Sequence, residues 1–178
     1  TGFITNPLFS KWDEAGQGID ISKVFCPDLF AYLFKEIQSL IEIAKVLNRS
    51  GKLEELEERL HLLRAEVMKA WDYRAATFRY QDIQTRKSLD IQKLGDFKGS
   101  GNHSIGKDLK HPSRIIIRLK NPGDSLLQPE IELNGLDVDG NELSEVFSRR
   151  DLLWTGSQCY LTTENVYSKL VCIDLRNI

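Results

Sequence analysis

Apolar positions in the first half of the chain recur every three or four residues. From 29 to 47 they include Leu29, Leu33, Ile37, Leu40, Ile41, Ala44 and Leu47, the spacing of one face of an α-helix. Phe30, Tyr32, Phe34, Ile43 and Val46 widen that face well beyond a single stripe. A helix so apolar around its circumference is expected to pack on more than one side, inside a larger helical layer. Pro27-Asp28 marks its start, with Asp28 placed to cap it, and Asn48-Arg49-Ser50-Gly51 ends it. From 52 to 71 the apolar set thins to Leu53, Leu56, Leu60, Leu63, Val67 and Trp71, while Glu54, Glu55, Glu57, Glu58 and Arg64 fill the opposite face. This pattern predicts an amphipathic helix docked on one side. With the first helix it makes an antiparallel αα-hairpin.

Beyond residue 77 the period changes. Phe78-Arg79-Tyr80-Gln81-Asp82 alternates like a short strand, and residues 85–111 are polar and dotted with glycine, a long irregular connection. From His111-Pro112 onward the period is two. Strands are predicted around 115–119, 130–138, 142–147, 152–154, 157–162 and 167–175, with a tight turn at Asp139-Gly140. Short strands separated by turns every 8–12 residues suggest a small antiparallel sandwich. Helices first and strands afterward define an α+β chain. The boundary is expected near residue 110, between a helical segment with its connector (1–110) and a β-sandwich (111–178).

Composition narrows the function classes. The chain has 178 residues, 41% of them hydrophobic and 28% charged, which is enough for a packed core and excludes wholesale disorder. Lys and Arg number 24 against 26 Asp and Glu, a net charge of −2. A dedicated nucleic-acid binder carries a strong basic excess, so no nucleic-acid partner is expected. No apolar run approaches the roughly 20 residues of a membrane span, and no secretory leader is visible. The three cysteines, Cys26, Cys159 and Cys172, are scattered among apolar residues. That argues for buried thiols and a reducing, cytoplasmic setting rather than a disulfide framework. The histidines show no ligand spacing, so neither a metal nor another cofactor is expected.

The densest chemistry lies in Trp12-Asp13-Glu14-Ala15-Gly16-Gln17-Gly18-Ile19-Asp20-Ile21-Ser22. Three carboxylates and an aromatic in a glycine-containing loop suit sugar handling. Glycosidic bonds are broken between paired carboxyl groups, and aromatic faces stack on sugar rings.

This loop, together with the helical hairpin after it, resembles part of an (α/α)6-toroid glycoside hydrolase of the trehalase and glycogen-debranching glucosidase kind. The carrying pieces are G-x-D-x-S (Gly18, Asp20, Ser22) and a helix of the form D-x-x-A-Y-L-x-x-E (Asp28, Ala31, Tyr32, Leu33, Glu36). After these come A-x-x-L-N (Ala44, Leu47, Asn48), Trp71-Asp72 and F-x-Y-x-D (Phe78, Tyr80, Asp82). The resemblance spans about residues 10–88. It implies that Asp20 is the general acid, with Asp13, Glu14 and Trp12 as substrate-binding residues. It also implies that the chain is a C-terminal fragment holding barely one and a half of six hairpins, and no residues match the family's catalytic base. Such a fragment is expected to be inactive alone. Its function would be carbohydrate recognition or hydrolysis in a longer protein, with missing domains or a homo-oligomer covering the face of helix 29–47. The alternative is a non-enzymatic interaction or assembly module. The sandwich resembles the Ig-like accessory modules found beside glycosidases and in phage and surface proteins.

Other constellations resolve as structure. Asp137-Val138-Asp139-Gly140-Asn141-Glu142 misses the EF-hand spacing and reads as a hairpin turn. In 99–107 the glycines precede Lys107, but Asp108 stands where a phosphate loop needs Ser or Thr. Arg74, Arg79, Arg86, Lys87, Lys93 and Lys98 are interleaved with aromatics, but also with Asp72, Asp82, Asp90 and Asp96. A solvated connector is expected there.

Overall fold

A computed structural model describes residues 6–10, 16–89, 92–120 and 127–178. The fold is α+β and divides into two compact units, Val24–Asp90 and a second formed by Thr1–Lys23 with Ile91–Ile178.

The first unit is the αα-hairpin with small sheets at its open end. Strand β1 (Val24–Phe25) leads into α1 (Pro27–Val46), and a 3-10 turn (Ser50–Lys52) returns the chain into α2 (Leu53–Met68). The helix boundaries track the apolar period closely, with two corrections. Pro27 occupies the first turn and sets the N-cap back to Cys26, so Asp28 is not the cap. Its carboxylate accepts instead from the Leu29 N–H (3.0 Å) and the Tyr80 hydroxyl (3.0 Å). At the far end α2 stops short of Trp71, which enters β2 (Trp71–Asp72) and pairs with Phe78 of β3 (Thr77–Phe78). Asp72 holds the intervening turn, accepting from the Arg74 and Ala75 N–H groups (2.9 and 3.1 Å) and from Arg79 Nε (3.2 Å). Strand β4 (Gln81–Asp82) closes on β1.

Helix α1 buries Ile41 and Ala44 but leaves Leu29, Tyr32, Leu33, Leu40, Ile43, Val46 and Leu47 exposed, so its broad apolar face is incompletely buried within this chain. Helix α2 has no fully buried residue, and its outer surface is knitted by exposed pairs such as Glu55–Arg59 (2.7 Å). The cationic stretch beyond it is locally neutralised. Arg86 pairs with Glu66 (2.9 Å) and lies 4.5 Å from the Phe25 ring centre, and Lys93 pairs with Asp96.

The second unit is a sandwich of two antiparallel sheets. The larger has the order β5 (Gly101–Ser113), β11 (Tyr167–Arg176), β7 (Glu130–Leu136), β8 (Glu142–Ser148). The smaller has the order β6 (Ile116–Lys120), β10 (Gln158–Thr162), β9 (Leu153–Thr155). Their inner faces share one core. Ile131, Leu133, Phe147, Tyr167, Leu170, Ile173 and Leu175 come from the larger sheet, and Cys159 and Leu161 from the smaller. Cys159 and Cys172 lie on different sheets, and all three thiols are free. Burial pushes the Cys26 and Cys159 thiols up to about 11, which keeps them protonated at neutral pH.

Strand β5 occupies the second half of the stretch 85–111, where a long irregular connection is expected from the sequence. Among the described residues it is the longest strand, and it pairs along its length with β11. Its polar composition has a physical cause. It edges its sheet and turns only alternate residues such as Ile105 and Leu109 toward the core. Gly101 and Gly106 take positive φ within it.

The turn between β7 and β8 is wider than the two-residue form expected. Residues 137–141 close it, with the Asp137 N–H donating to Asn141 O (3.0 Å). Asp137 Oδ1 accepts from the N–H groups of Asp139 (2.8 Å) and Asn141 (2.9 Å), and Oδ2 accepts from Asn141 Nδ2 (2.9 Å). The Asn141 side chain first, then its backbone N–H, hold the Asp137 carboxyl below the usual range.

A lowered folded-state pKa stabilises the turn above the ordinary Asp value and loses that contribution as pH falls through the lowered one. In an NMR titration, the Asn141 amide should therefore move with a midpoint below about 3.9. A midpoint at or above that value would contradict this geometry.

A second prediction concerns Thr163, which is fully buried. Its hydroxyl accepts from the Ile115 N–H (3.0 Å) and donates to Asn165 O (2.9 Å). Thr163→Val keeps the volume and orphans both groups, so urea unfolding should show a loss of about 1–3 kcal/mol.

Candidate functional site

Of the residues singled out in the N-terminal loop, Asp20 is described, and Trp12, Asp13 and Glu14 lie outside the described residues. Asp20 belongs to the sandwich unit, where residues 16–20 are pinned by backbone bonds. Gln17, Gly18 and Ile19 donate to the carbonyls of Pro7 (2.8 Å), Ser10 (3.0 Å) and Leu8 (3.1 Å). Gly18 takes φ +63° and lies flat on the Tyr160 ring, where any Cβ would overlap it. The Asp20 N–H then donates to Thr162 Oγ1 on β10 (3.2 Å). Its carboxylate Oδ1 accepts from the Ser22 N–H (2.9 Å), starting the 3-10 turn Ile21–Lys23.

Glycine spacing therefore serves a structural end first. Gly16 and Gly18 let the segment lie close to its neighbours, and Asp20 is delivered half-buried at the rim of an open depression of about 330 Å³. Tyr160, Thr162 and Phe147 form part of its wall, and two further carboxylates, Asp151 and Glu164, reach it.

The three carboxylates are bound differently. Glu164 pairs with Lys23. Asp151 closes a capping box, accepting from the Ser148 N–H (2.7 Å) and hydroxyl (2.8 Å). Those two bonds hold its carboxyl below the usual range. An acid catalyst near neutral pH needs the opposite shift, so Asp151 is an acceptor here and not a proton donor. Asp20 spends Oδ1 on its own turn, and among the described residues Oδ2 is left for an incoming donor. The arrangement offers anionic hydrogen-bond acceptors around an aromatic wall. That chemistry receives hydroxyl groups.

The remaining pieces of the motif series have structural duties. Asp82 is buried and its Oδ1 accepts from the Gln84 and Thr85 N–H groups (both 2.9 Å), while Trp71 and Phe78 stack edge-on with ring centres 4.8 Å apart. Among the described residues, no group of three His, Cys, Asp or Glu is placed to hold a metal ion. No described helix is long and apolar enough to cross a membrane.

Tyr160, Thr162 and Glu164 at the depression were not visible as site residues in the sequence. The sequence signal there was the strand predicted over 157–162, which holds Tyr160 and Thr162. Comparisons with protein-family models, curated proteins and solved structures find no match for the chain.

The contact between Gly18 and Tyr160 is directly testable. Gly18→Ala adds a Cβ into the ring and places it at positive φ, so it should lower the melting temperature and shift the Tyr160 ring resonances. Gly16 is set against the Ser10 carbonyl, the acceptor of the Gly18 N–H, so Gly16→Ala should lower the melting temperature through the backbone of the same segment rather than by overlap with the ring.

Proposed function

We propose that the chain is the carbohydrate-handling part of a glycoside-hydrolase-like protein, and that it recognises sugar without holding a complete hydrolytic centre. The observation that carries this reading is the half-buried Asp20 at a depression shared with Tyr160, Thr162 and Glu164. The toroid-like order of motifs over 10–88 supports the same ancestry. Asp20 is the anionic acceptor for sugar hydroxyls, and Trp12, Asp13 and Glu14 precede it as further substrate-binding candidates. Hydrolysis needs a proton donor paired with a base or nucleophile, and the partner carboxylate is assigned to another part of the longer protein. Three free thiols, two of them held protonated by burial, fit a cytoplasmic setting.

A second reading is favoured by a different observation. The exposed apolar side chains of α1 suit an interaction or assembly surface.

The sugar reading is tested by titrating the 15N-labelled chain with trehalose and maltooligosaccharides. Amide shifts should concentrate at Gly18, Asp20, Tyr160 and Thr162. Asp20→Asn retains the oxygen that accepts from Ser22, so the turn survives, while affinity should fall about tenfold with the lost charge. No shift at these amides at about 10 mM saccharide, a concentration that detects even millimolar affinity, would overturn the reading.

A further inference from the structure

We propose that the outward face of α1 is a self-association seam, and that its occupant is the same face of a second copy of this chain, running antiparallel. The proposal rests on the interaction reading of α1 and names its partner.

Helix α1 has two apolar faces. One turns inward and carries the buried Ile41 and Ala44 with the half-buried Phe30, Phe34 and Ile37. The other carries Leu29, Leu33, Glu36, Leu40, Ile43 and Leu47, all exposed. Their spacing is 4, 3, 4, 3, 4. That is the heptad alternation of a helix that meets another nearly parallel helix along its whole length, not the broader stripe of a helix resting on a core. Helix α2 makes the contrast. Its exposed positions are mostly charged, among them Glu54, Glu55, Glu58, Arg59 and Arg64 with ion pairs along them, and Leu62 and Met68 are its exposed large apolar residues.

Area separates a stray patch from an interface. The five apolar seam residues, with Tyr32 and Val46 beside them, leave on the order of 700 Å² open, close to the roughly 800 Å² per partner of a specific interface. Tyr32 and Val46 are 73% and 80% exposed, far more than a helix of this composition needs to present to water.

Glu36 sets the direction. A parallel pair would place two Glu36 carboxylates opposite each other in an apolar seam, which costs desolvation and repulsion together. An antiparallel pair centred near residue 38 sets Glu36 beside Leu40 of the partner subunit. It also matches Leu29 with Leu47 and Leu33 with Ile43 across the seam, so the outer apolar positions meet apolar ones. The result is a four-helix arrangement of two hairpins.

Sedimentation velocity on the full chain tests this. Association to a dimer is expected by about 200 µM. Leu40→Glu with Ile43→Glu should weaken it at least about 100-fold, with helical circular dichroism and melting unchanged at concentrations where both chains are monomeric, because both side chains are already exposed. Glu36→Leu should strengthen it about tenfold, since it completes the seam. A wild-type chain that stays monomeric, or a dimer indifferent to the double variant, overturns the proposal. An anilinonaphthalene sulfonate probe separates the two failures. A monomer whose dye binding is lost in the double variant overturns the second copy and leaves the interaction reading standing. A monomer that binds no dye overturns both.

Discussion

Between β10 and β11 the chain leaves one sheet of the sandwich and enters the other, and a single carboxylate stabilises the crossing. Glu145 on β8 accepts from the N–H groups of Glu164 (2.9 Å) and Asn165 (3.2 Å) and from the hydroxyl of the fully buried Tyr167 (2.6 Å). Burial and then that bond push the Tyr167 phenol far above its ordinary range, so the hydroxyl stays a donor. Thr163 completes the joint by pairing both ways with Ile115 (N–H to Ile115 O, 3.0 Å; Oγ1 from Ile115 N–H, 3.0 Å). Without these bonds, a turn of bare backbone would lie unsatisfied beside the core. Glu164 and Thr162 reach the depression because the residues beside them are fixed here.

The strands after residue 115 were legible because their inward positions alternate with polar ones and glycine or Asp-Gly punctuates them. Both helices were legible for the matching reason at a period near 3.6. What was hidden is informative. Strand β5 uses mostly polar side chains, because an edge strand needs few apolar residues to stay paired. Trp71 continues the spacing of α2 but leaves the helix, because pairing with Phe78 places its ring edge-on against another aromatic. Glu145 is a charged residue at an inward position of an alternating strand, between Leu143 and Phe147, and no local pattern shows that it reaches a loop 19 residues onward. Asp20 was singled out from its loop. Its neighbours at the depression come from β10 and from Glu164, over a hundred residues away in sequence, which no spacing within the loop encodes.

Two physical demands shape the candidate surfaces. At the depression, glycine against an aromatic ring lets a carboxylate stand at the rim of the core, and the nearby Asp151 is held anionic by its capping duty. On α1, apolar side chains sit where solvent reaches them, and only one charge interrupts the row. The first surface presents hydrogen-bond acceptors, the second presents contact area, and they lie in different compact units.

Strand β5 also determines how the chain behaves when concentrated. A 13-residue sheet edge is a template on which another copy could add strand by strand. Here the pairing of β5 with β11 slips twice, between Tyr167 and Lys169 and between Leu170 and Cys172. Lys107, Asp108 and Lys110 stand along the open side, and Gly106 bends it with φ +56°. An incoming strand would find neither a straight ladder nor an uncharged flank. Fibrillar growth from this edge is thereby discouraged, so the strand edge does not compete with the apolar face of α1 for another copy of the chain.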